Sequence, residues 1–464
     1  GGARIMEMAT GAPSAPQSKA QPHGRVVAVV QRNWRQYCGS VLSEEGAAAS
    51  AQCMFVPVNR RVPKIRFQSR QRPALLGKRI VVAIDRWEPS SALPEGHLVR
   101  VLGDVGDRET ETEVILLEHD IPAGPFPAKV LACLPPEDWS ITPANSVGRV
   151  DLRDRCVCSI DPPGCKDIDD ALHARALGDG LFEVGVHIAD VAYFVPPGTP
   201  LDEEARDRCT STYLVERRLD MLPGLLTETL CSVRGGEDKF VFSVVWVVDA
   251  DARVRDVRFH RSVVHSRAAL SYGQAQAILD DPESRGELAD GIRILNQLAK
   301  VLRRRRIEAG ALTLASPEVR FRMDEQHNPT DVEMYQLKET NALVEEFMLF
   351  ANCTVAARIL EAFPMLAILR RHPEPAPRAF DGLLSAAAAA GASLDVSSSK
   401  ALADSLDAAK REGDPYFNKL LRILATRCMT QAEYFCSGEM AQEQFGHYGL
   451  AAPLYTHFTS PIRR

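Results

Sequence analysis

The sequence predicts a multidomain chain: a small β-barrel of the OB or cold-shock type, followed by a larger α/β (α+β) body. Three observations predict it. At 464 residues the chain outgrows a single hydrophobic core, so several domains are expected. The hydrophobic pattern switches part-way along from short strand-like runs to long helical periodicity. The charge is divided as well. Between Gly24 and Arg100, 13 Lys and Arg stand against 5 acids, a balance of +8, and the net charge of −6 leaves −14 for the rest. A basic module joined to an acidic one suits an anion-gripping platform attached to a metal-using body, although a basic segment alone is usually a solvated face.

Composition excludes several classes. The chain is 45% hydrophobic, 25% charged and 6% aromatic, the profile of an ordinary globular protein. No stretch approaches the roughly 18 consecutive apolar residues of a spanning helix, so no membrane partner is expected. No basic segment leads into an apolar run at the N-terminus, so secretion is not indicated. The 11 cysteines are scattered and form no CxxC pair, and are expected to be reduced core thiols.

Residues 1–23 are rich in Gly, Ala, Ser and Pro and read as a flexible leader. Residues 24–120 supply the barrel. GRVVAVV, CGSVL, CMFVPV, KIRF and KRIVVAI have strand composition and are punctuated by Gly, Pro and Asn. Arg32, Trp34 and Arg35, in the segment before Tyr37, mix cations with an aromatic ring, which suits nucleic acid or a docked protein alike. Residues 121–150 are Pro-rich at their start and read as a linker. From 151 to 464 the pattern is mixed. LFEVGVHIADV and FVFSVVWVVD read as buried strands, GELADGIRILNQLAKVLRRRRIEAG as a long amphipathic helix, and ETNALVEEFMLFANCTVAARILEAF as a second with Thr340 as its N-cap. Ser385 to Asp407 is Ala-rich and reads as two short helices. The close on Pro461-Ile462-Arg463-Arg464, without a capping glycine or polar tail, is expected to fall inside the second domain.

The richest segment is Asp161-Pro-Pro-Gly-Cys-Lys-Asp167-Ile-Asp169-Asp170. Four carboxylates occupy ten positions, and Pro-Pro-Gly forces a turn between the first and the others. Carboxylates gathered this closely raise one another's pKa unless a cation neutralises them. Mg²⁺ takes one or two carboxylates together with waters and phosphate oxygens, and such a site can activate a water against a phosphodiester. An exposed acidic turn is the plain alternative. A calcium loop is less apt, because the mid-loop glycine and closing glutamate of the EF-hand are not at the required spacing.

DPPGCKDIDDAL followed by EVGVHIADVAYFV resembles the signature of the RNase II/RNase R (RNB) superfamily. TSTYLVERRLDMLP, NALVEEFMLFAN and YTHFTSPIRR match it in the same order, and GRVVAVVQRNWRQYCGSVL, IRFQSRQ and LGDVGDRETETEVILLEHD resemble its exosome branch. The resemblance runs from about Gly24 to Arg464 and implies an RNB catalytic domain, incomplete at its C-terminus, behind the barrel. It implies a hydrolytic, processive 3′-to-5′ exoribonuclease that degrades single-stranded RNA to nucleoside 5′-monophosphates. It implies Mg²⁺ held by Asp161, Asp167, Asp169 and Asp170, with Mn²⁺ able to substitute, and Asp169 as the residue whose loss abolishes cleavage. By the same resemblance Tyr213 stacks on the 3′-terminal nucleotide and Arg463 contacts the phosphate beside the scissile bond. Glu346 and Asn352 line the end of the channel or serve the structure of their helix. His187 and Asp190 read as structural support.

Exosome core subunits are the implied partners of the full-length protein, and nucleus, nucleolus and cytoplasm its implied locations. The branch's PIN endonuclease domain, its first cold-shock barrel and its S1 barrel have no counterpart in these residues. A non-catalytic RNA-binding relative and the exosome-independent cytoplasmic branch are the competing readings.

Overall fold

The computed structural model describes residues 24, 25, 27, 28, 30, 35–42, 51–314, 319–324, 329–334, 337–414 and 416–461. The chain divides into two compact units, Gly1–Ala123 and Gly124–Arg464.

The first unit is a five-stranded closed barrel. Its strands are β1 (Gln36–Val41), β2 (Gln52–Pro57), β3 (Ile65–Gln68), β4 (Lys78–Arg86) and β5 (Glu95–Asp104), in the order β1-β2-β3-β5-β4 with β4 returning to β1. Only the β3–β5 pairing is parallel. This is the OB arrangement. Alternate residues point inward, so Phe55, Ile65, Phe67, Ile80 and Val82 fill the interior, and Leu75 from the short helix Arg72–Leu75 joins them. The expectation of strands is met by four of the five runs and fails for GRVVAVV, whose described residues belong to no strand. The fifth strand is EGHLVRVLGD. Val27 and Val30 are fully exposed where they lie, so apolar composition there earns no burial. The helix Arg108–Glu118 then packs over the barrel. Asp107 caps it by accepting from Thr110 N at 3.0 Å, and Glu118 accepts from Cys38 N on β1 at 2.9 Å.

The second unit is built on a six-stranded sheet of β6 (Val150–Asp151), β7 (Val157–Asp161), β8 (Asp170–Gly178), β9 (Leu181–Ala189), β12 (Asp238–Asp249) and β13 (Val254–Ser271), in the order β12-β9-β8-β7-β13-β6. The strand-rich runs read from the sequence are β9 and β12. A separate two-stranded hairpin of β10 (Thr212–Tyr213) and β11 (Arg218–Leu219) lies between β9 and β12 in the chain. The long β13 pairs antiparallel with β12 through its first half and parallel with β7 through its second, so the sheet curls back on itself.

Val157, Ala171, Ala189, Val241 and Val245 pack on one face of the sheet against Leu222, Leu226 and Phe194. Val130, in the stretch read as a linker, is fully buried in the same cluster. The other face carries Ile160, Leu172, Val186, Val244 and the fully buried Trp246. These meet Leu295 and Leu298 of the helix Glu287–Glu308 and Leu343 and Phe347 of the helix Glu339–Ala362. Thr340 does not cap the second of these helices. Lys338 holds that position, and Thr340 lies buried in the first turn with its hydroxyl donating to Tyr272 O at 2.9 Å. The Ala-rich stretch forms two short helices, Asp381–Ala389 and Ser399–Ala408, over their own small core. No helix among the described residues is long and apolar enough to cross a membrane. All 11 cysteines are free thiols.

Candidate active site: an acidic loop held by a short hairpin

Antiparallel pairing of β7 with β8 places the end of one strand beside the start of the other. Asp161 is the last residue of β7 and Asp170 the first of β8, so the intervening loop needs only to turn back. Pro162, Pro163 and Gly164 make that turn. Gly164 adopts φ +80°, a conformation open to glycine, and Cys165 N donates to Pro162 O at 3.2 Å. The loop then runs extended and is pinned by its neighbours. Ile168 N donates to Ser232 Oγ at 3.1 Å, Ser232 Oγ donates to Lys166 O at 2.8 Å, and Val233 N donates to Ile168 O at 3.0 Å. Ala189 N, at the end of β9, donates to Asp169 O at 2.9 Å. Ile168 is buried in the core, and the alternation of an extended chain sends Asp167 and Asp169 the other way.

The carboxylates feel one another. Burial pushes Asp170 up to about 8, and the charges of Asp161 and Asp169 add to the rise. Burial raises Asp161 to about 6, with Asp167 contributing, and Asp161 Oδ2 is buried without a hydrogen-bond partner. Asp167 is engaged differently. Arg218 Nη1 stands 2.5 Å from its Oδ1, and Tyr213 donates its hydroxyl to Oδ2 at 2.9 Å. Tyr213 and Arg218 are register partners across the β10–β11 hairpin, which puts both side chains on one face. Arg218 also reaches Asp220 at 2.5 Å and Glu228 at 2.8 Å. The Tyr213 side of the hairpin is open, with 68% of the residue exposed, while its phenol is raised by partial burial and the Asp167 bond.

The other residues singled out in the sequence are placed as follows. Glu346 is buried and pairs with Arg306 at 2.6 Å, which ties the Glu339–Ala362 helix to Glu287–Glu308. Asn352 is buried, donates to Thr459 Oγ1 at 3.0 Å and Tyr455 Oη at 3.2 Å, and accepts from Thr459 N at 2.9 Å. Arg35 is paired with Glu118 at 3.3 Å and Asp120 at 3.2 Å in the barrel unit. Arg32, Trp34 and Arg463 lie outside the described residues. His187 bonds His173 at 2.7 Å and Ser243 at 2.8 Å inside the sheet, and Asp190 forms a buried ion pair with Arg149 at 2.6 Å. Sequence reading passed over Arg218 and Ser232. For Arg218 a signal existed: it alternates with Asp220, so in a strand the two share a face and a charge pair.

The donor set suits a hard divalent cation, because it is all carboxylate and burial, with the neighbouring acids adding to it, raises the pKa of Asp161 and Asp170. The orphaned Asp161 Oδ2 points to the same need. As placed, no group of three or more His, Cys, Asp or Glu among the described residues is close enough to hold an ion.

The fold, an OB barrel followed by a mixed-sheet unit, is shared with RNase R. The structure superposes on Mycoplasma genitalium RNase R in complex with ribose methylated single-stranded RNA with a TM-score of 0.79 at 23% identity, covering 94% of this chain and 68% of that one. It also superposes on yeast Ssd1, a pseudonuclease, with a TM-score of 0.77 at 24% identity, covering 94% and 54%. The family itself is set by sequence: residues 149–464 match the RNB domain, and the chain belongs to the RNB domain family. Residues 52–120 match the Dis3-like cold-shock domain 2. Exosome complex exonuclease RRP44 homolog A of Arabidopsis thaliana is 57% identical, over 96% of this chain and 48% of that protein. The Homo sapiens exosome complex exonuclease RRP44 is 52% identical, over 96% and 46%. DIS3-like exonuclease 2 of Xenopus tropicalis is 39% identical, over 90% and 53%. The chain thus spans about half the length of the curated relatives it matches.

Proposed function

We propose that the protein is a divalent-metal-dependent 3′-to-5′ exoribonuclease that hydrolyses single-stranded RNA processively to nucleoside 5′-monophosphates, working with exosome core subunits in RNA processing and decay in nucleus and cytoplasm. The observation that carries the reading is the acidic loop: all four aspartates are present, and burial and mutual repulsion leave Asp161 and Asp170 short of positive charge. Relatives named as exosome exonucleases at 52–57% identity support the same reading.

Asp161, Asp169 and Asp170 would hold Mg²⁺ or Mn²⁺. Bound there, the ion would acidify a water and neutralise charge developing on the phosphate. Asp167 orients the Tyr213 hydroxyl, and the exposed Tyr213 ring offers a face on which any terminal base can stack. Arg463 is assigned to the scissile phosphate through its match to the family motif. In the barrel, Arg60, Arg61 and Lys64 at the β2–β3 turn are exposed and make no ion pair among the described residues, so they are better suited to RNA phosphates than the paired Arg35.

A gel assay on 3′- and 5′-labelled RNA tests the proposal, comparing the full-length protein with Asp169→Asn. Mononucleotide release from the 3′ end is expected, abolished by the substitution and by EDTA. The fold is shared with a pseudonuclease, so binding without shortening would instead assign an RNA-binding scaffold.

A further inference from the structure

The β10–β11 hairpin is poorly supported by its own backbone. Each strand has two residues, and Leu214 N donates to Arg217 O at 2.8 Å to close the turn. A ribbon this small does not hold a fixed geometry in water. Yet its outward residue, Tyr213, is the one offered to the RNA terminus. What fixes it is a side-chain chain: Asp220 and Glu228 grip the Arg218 guanidinium, Arg218 grips Asp167, and Asp167 accepts the Tyr213 hydroxyl. The Arg218 and Asp167 side chains are 16% and 13% exposed, so this pair is sheltered from the screening that weakens surface ion pairs. Both oxygens of Asp167 are used, one by each hairpin strand. The carboxylate therefore acts as a staple between the acidic loop and the hairpin.

We propose that Arg218 is a positioning residue: acting through Asp167, it sets the tilt of the Tyr213 ring and so the platform on which the terminal base stacks. The inference rests on the exoribonuclease reading for its substrate, and it gives Asp167 a task distinct from that of Asp161, Asp169 and Asp170. Tyr213 stacks with its face, while its hydroxyl serves as the tether. Removal of the hydroxyl and removal of the guanidinium should therefore have the same consequence.

The test uses the full-length protein and RNA carrying 2-aminopurine at its 3′ end, whose fluorescence falls on stacking. Binding is read in the Asp169→Asn background, where no cleavage intervenes, and KM and kcat in the parent. Arg218→Gln and Tyr213→Phe are each expected to lose most of the quenching and to raise KM about tenfold, the weight of one hydrogen bond to a charged group, with kcat much less affected. Arg218→Lys should recover part of the quenching. The double variant should be no worse than either single one, because both cut one tether. Quenching and KM unchanged in Tyr213→Phe, or losses that add in the double variant, would overturn the proposal. So would an absence of quenching by the Asp169→Asn protein with Tyr213 and Arg218 intact. Tyr213→Phe removes a single oxygen from an open side chain and carries the test alone if Arg218→Gln does not fold. Quenching by a protein that never shortens RNA would sink the exoribonuclease reading and leave the tether standing.

Discussion

Arg149→Ala should cost the second unit about 4 kcal/mol. The Arg149 and Asp190 side chains are 4% and 6% exposed and meet at 2.6 Å. Removing one partner of a buried pair leaves a desolvated charge behind, a loss of roughly 3–5 kcal/mol. The guanidinium also lies 3.9 Å above the Phe240 ring and 5.2 Å from that of Tyr193, a contact worth about 1 kcal/mol that overlaps with the first term. The damage reaches the candidate site, because Asp190 N donates to Phe240 O and the adjacent Ala189 N holds Asp169 O. Urea unfolding followed by the fluorescence of Trp139, which packs at 4.9 Å against Phe194 and 5.6 Å against Phe240, reads this unit. Replacing both partners, as Arg149→Met with Asp190→Leu, should recover most of the loss, since no charge is then stranded. A single substitution costing under about 1 kcal/mol, or a double variant as weak as the single ones, would refute the reasoning.

Two further outcomes follow from the sheet's interior. Gly185 faces His173 in register, and a methyl group there would stand 2.3 Å from His173 Cε1 with the His187 ring stacked behind; Gly185→Ala should cost about 3 kcal/mol, and an unchanged melting temperature would contradict the packing. Stability should also fall as pH drops below about 6.5. Burial holds His173 and His187 below the ordinary histidine range, so the unfolded chain takes up protons that the folded one refuses. Glu183 works lower on the scale: His173, 3.5 Å away, and the hydrogen bonds from Arg175 and Arg155 depress it, so its contribution is whole above about pH 4.3 and is lost as pH falls through its lower folded value. Melting temperatures measured against pH should fall in two stages, the first flattened by His187→Gln; a single stage beginning near pH 4 would remove the histidines from the account.

What could be read from the sequence was local. The acidic loop announces itself because its four aspartates and the turn that folds them lie within one short run, and the helices Glu287–Glu308 and Glu339–Ala362 follow from periodicity. β5 escaped because EGHLVRVLGD has no fully buried residue, so no apolar alternation marks it, and its place is fixed by β3 and β4. Arg35 looked free for phosphate because its partners, Glu118 and Asp120, lie far along the chain. The sequence leaves Glu346 between the channel end and a structural role, because its partner Arg306 sits on another helix. Arg306 stands in the last turn of its helix and pairs with the buried Glu346 across to the next.

The course of β13 bears on how the molecule is made. Its pairing with β12 joins neighbours in the chain and can form early, whereas its pairing with β7 sets Ser271 against Asp161 across the whole stretch between them. Closing so long a loop is slow, since its entropy is lost before any contact repays it. The edge that β7 shares with β13 therefore closes late, whereas β7 can meet β8 early across the acidic loop. The four acids, all within one short run, would meet one another as soon as β7 pairs with β8, before the edge between β7 and β13 closes.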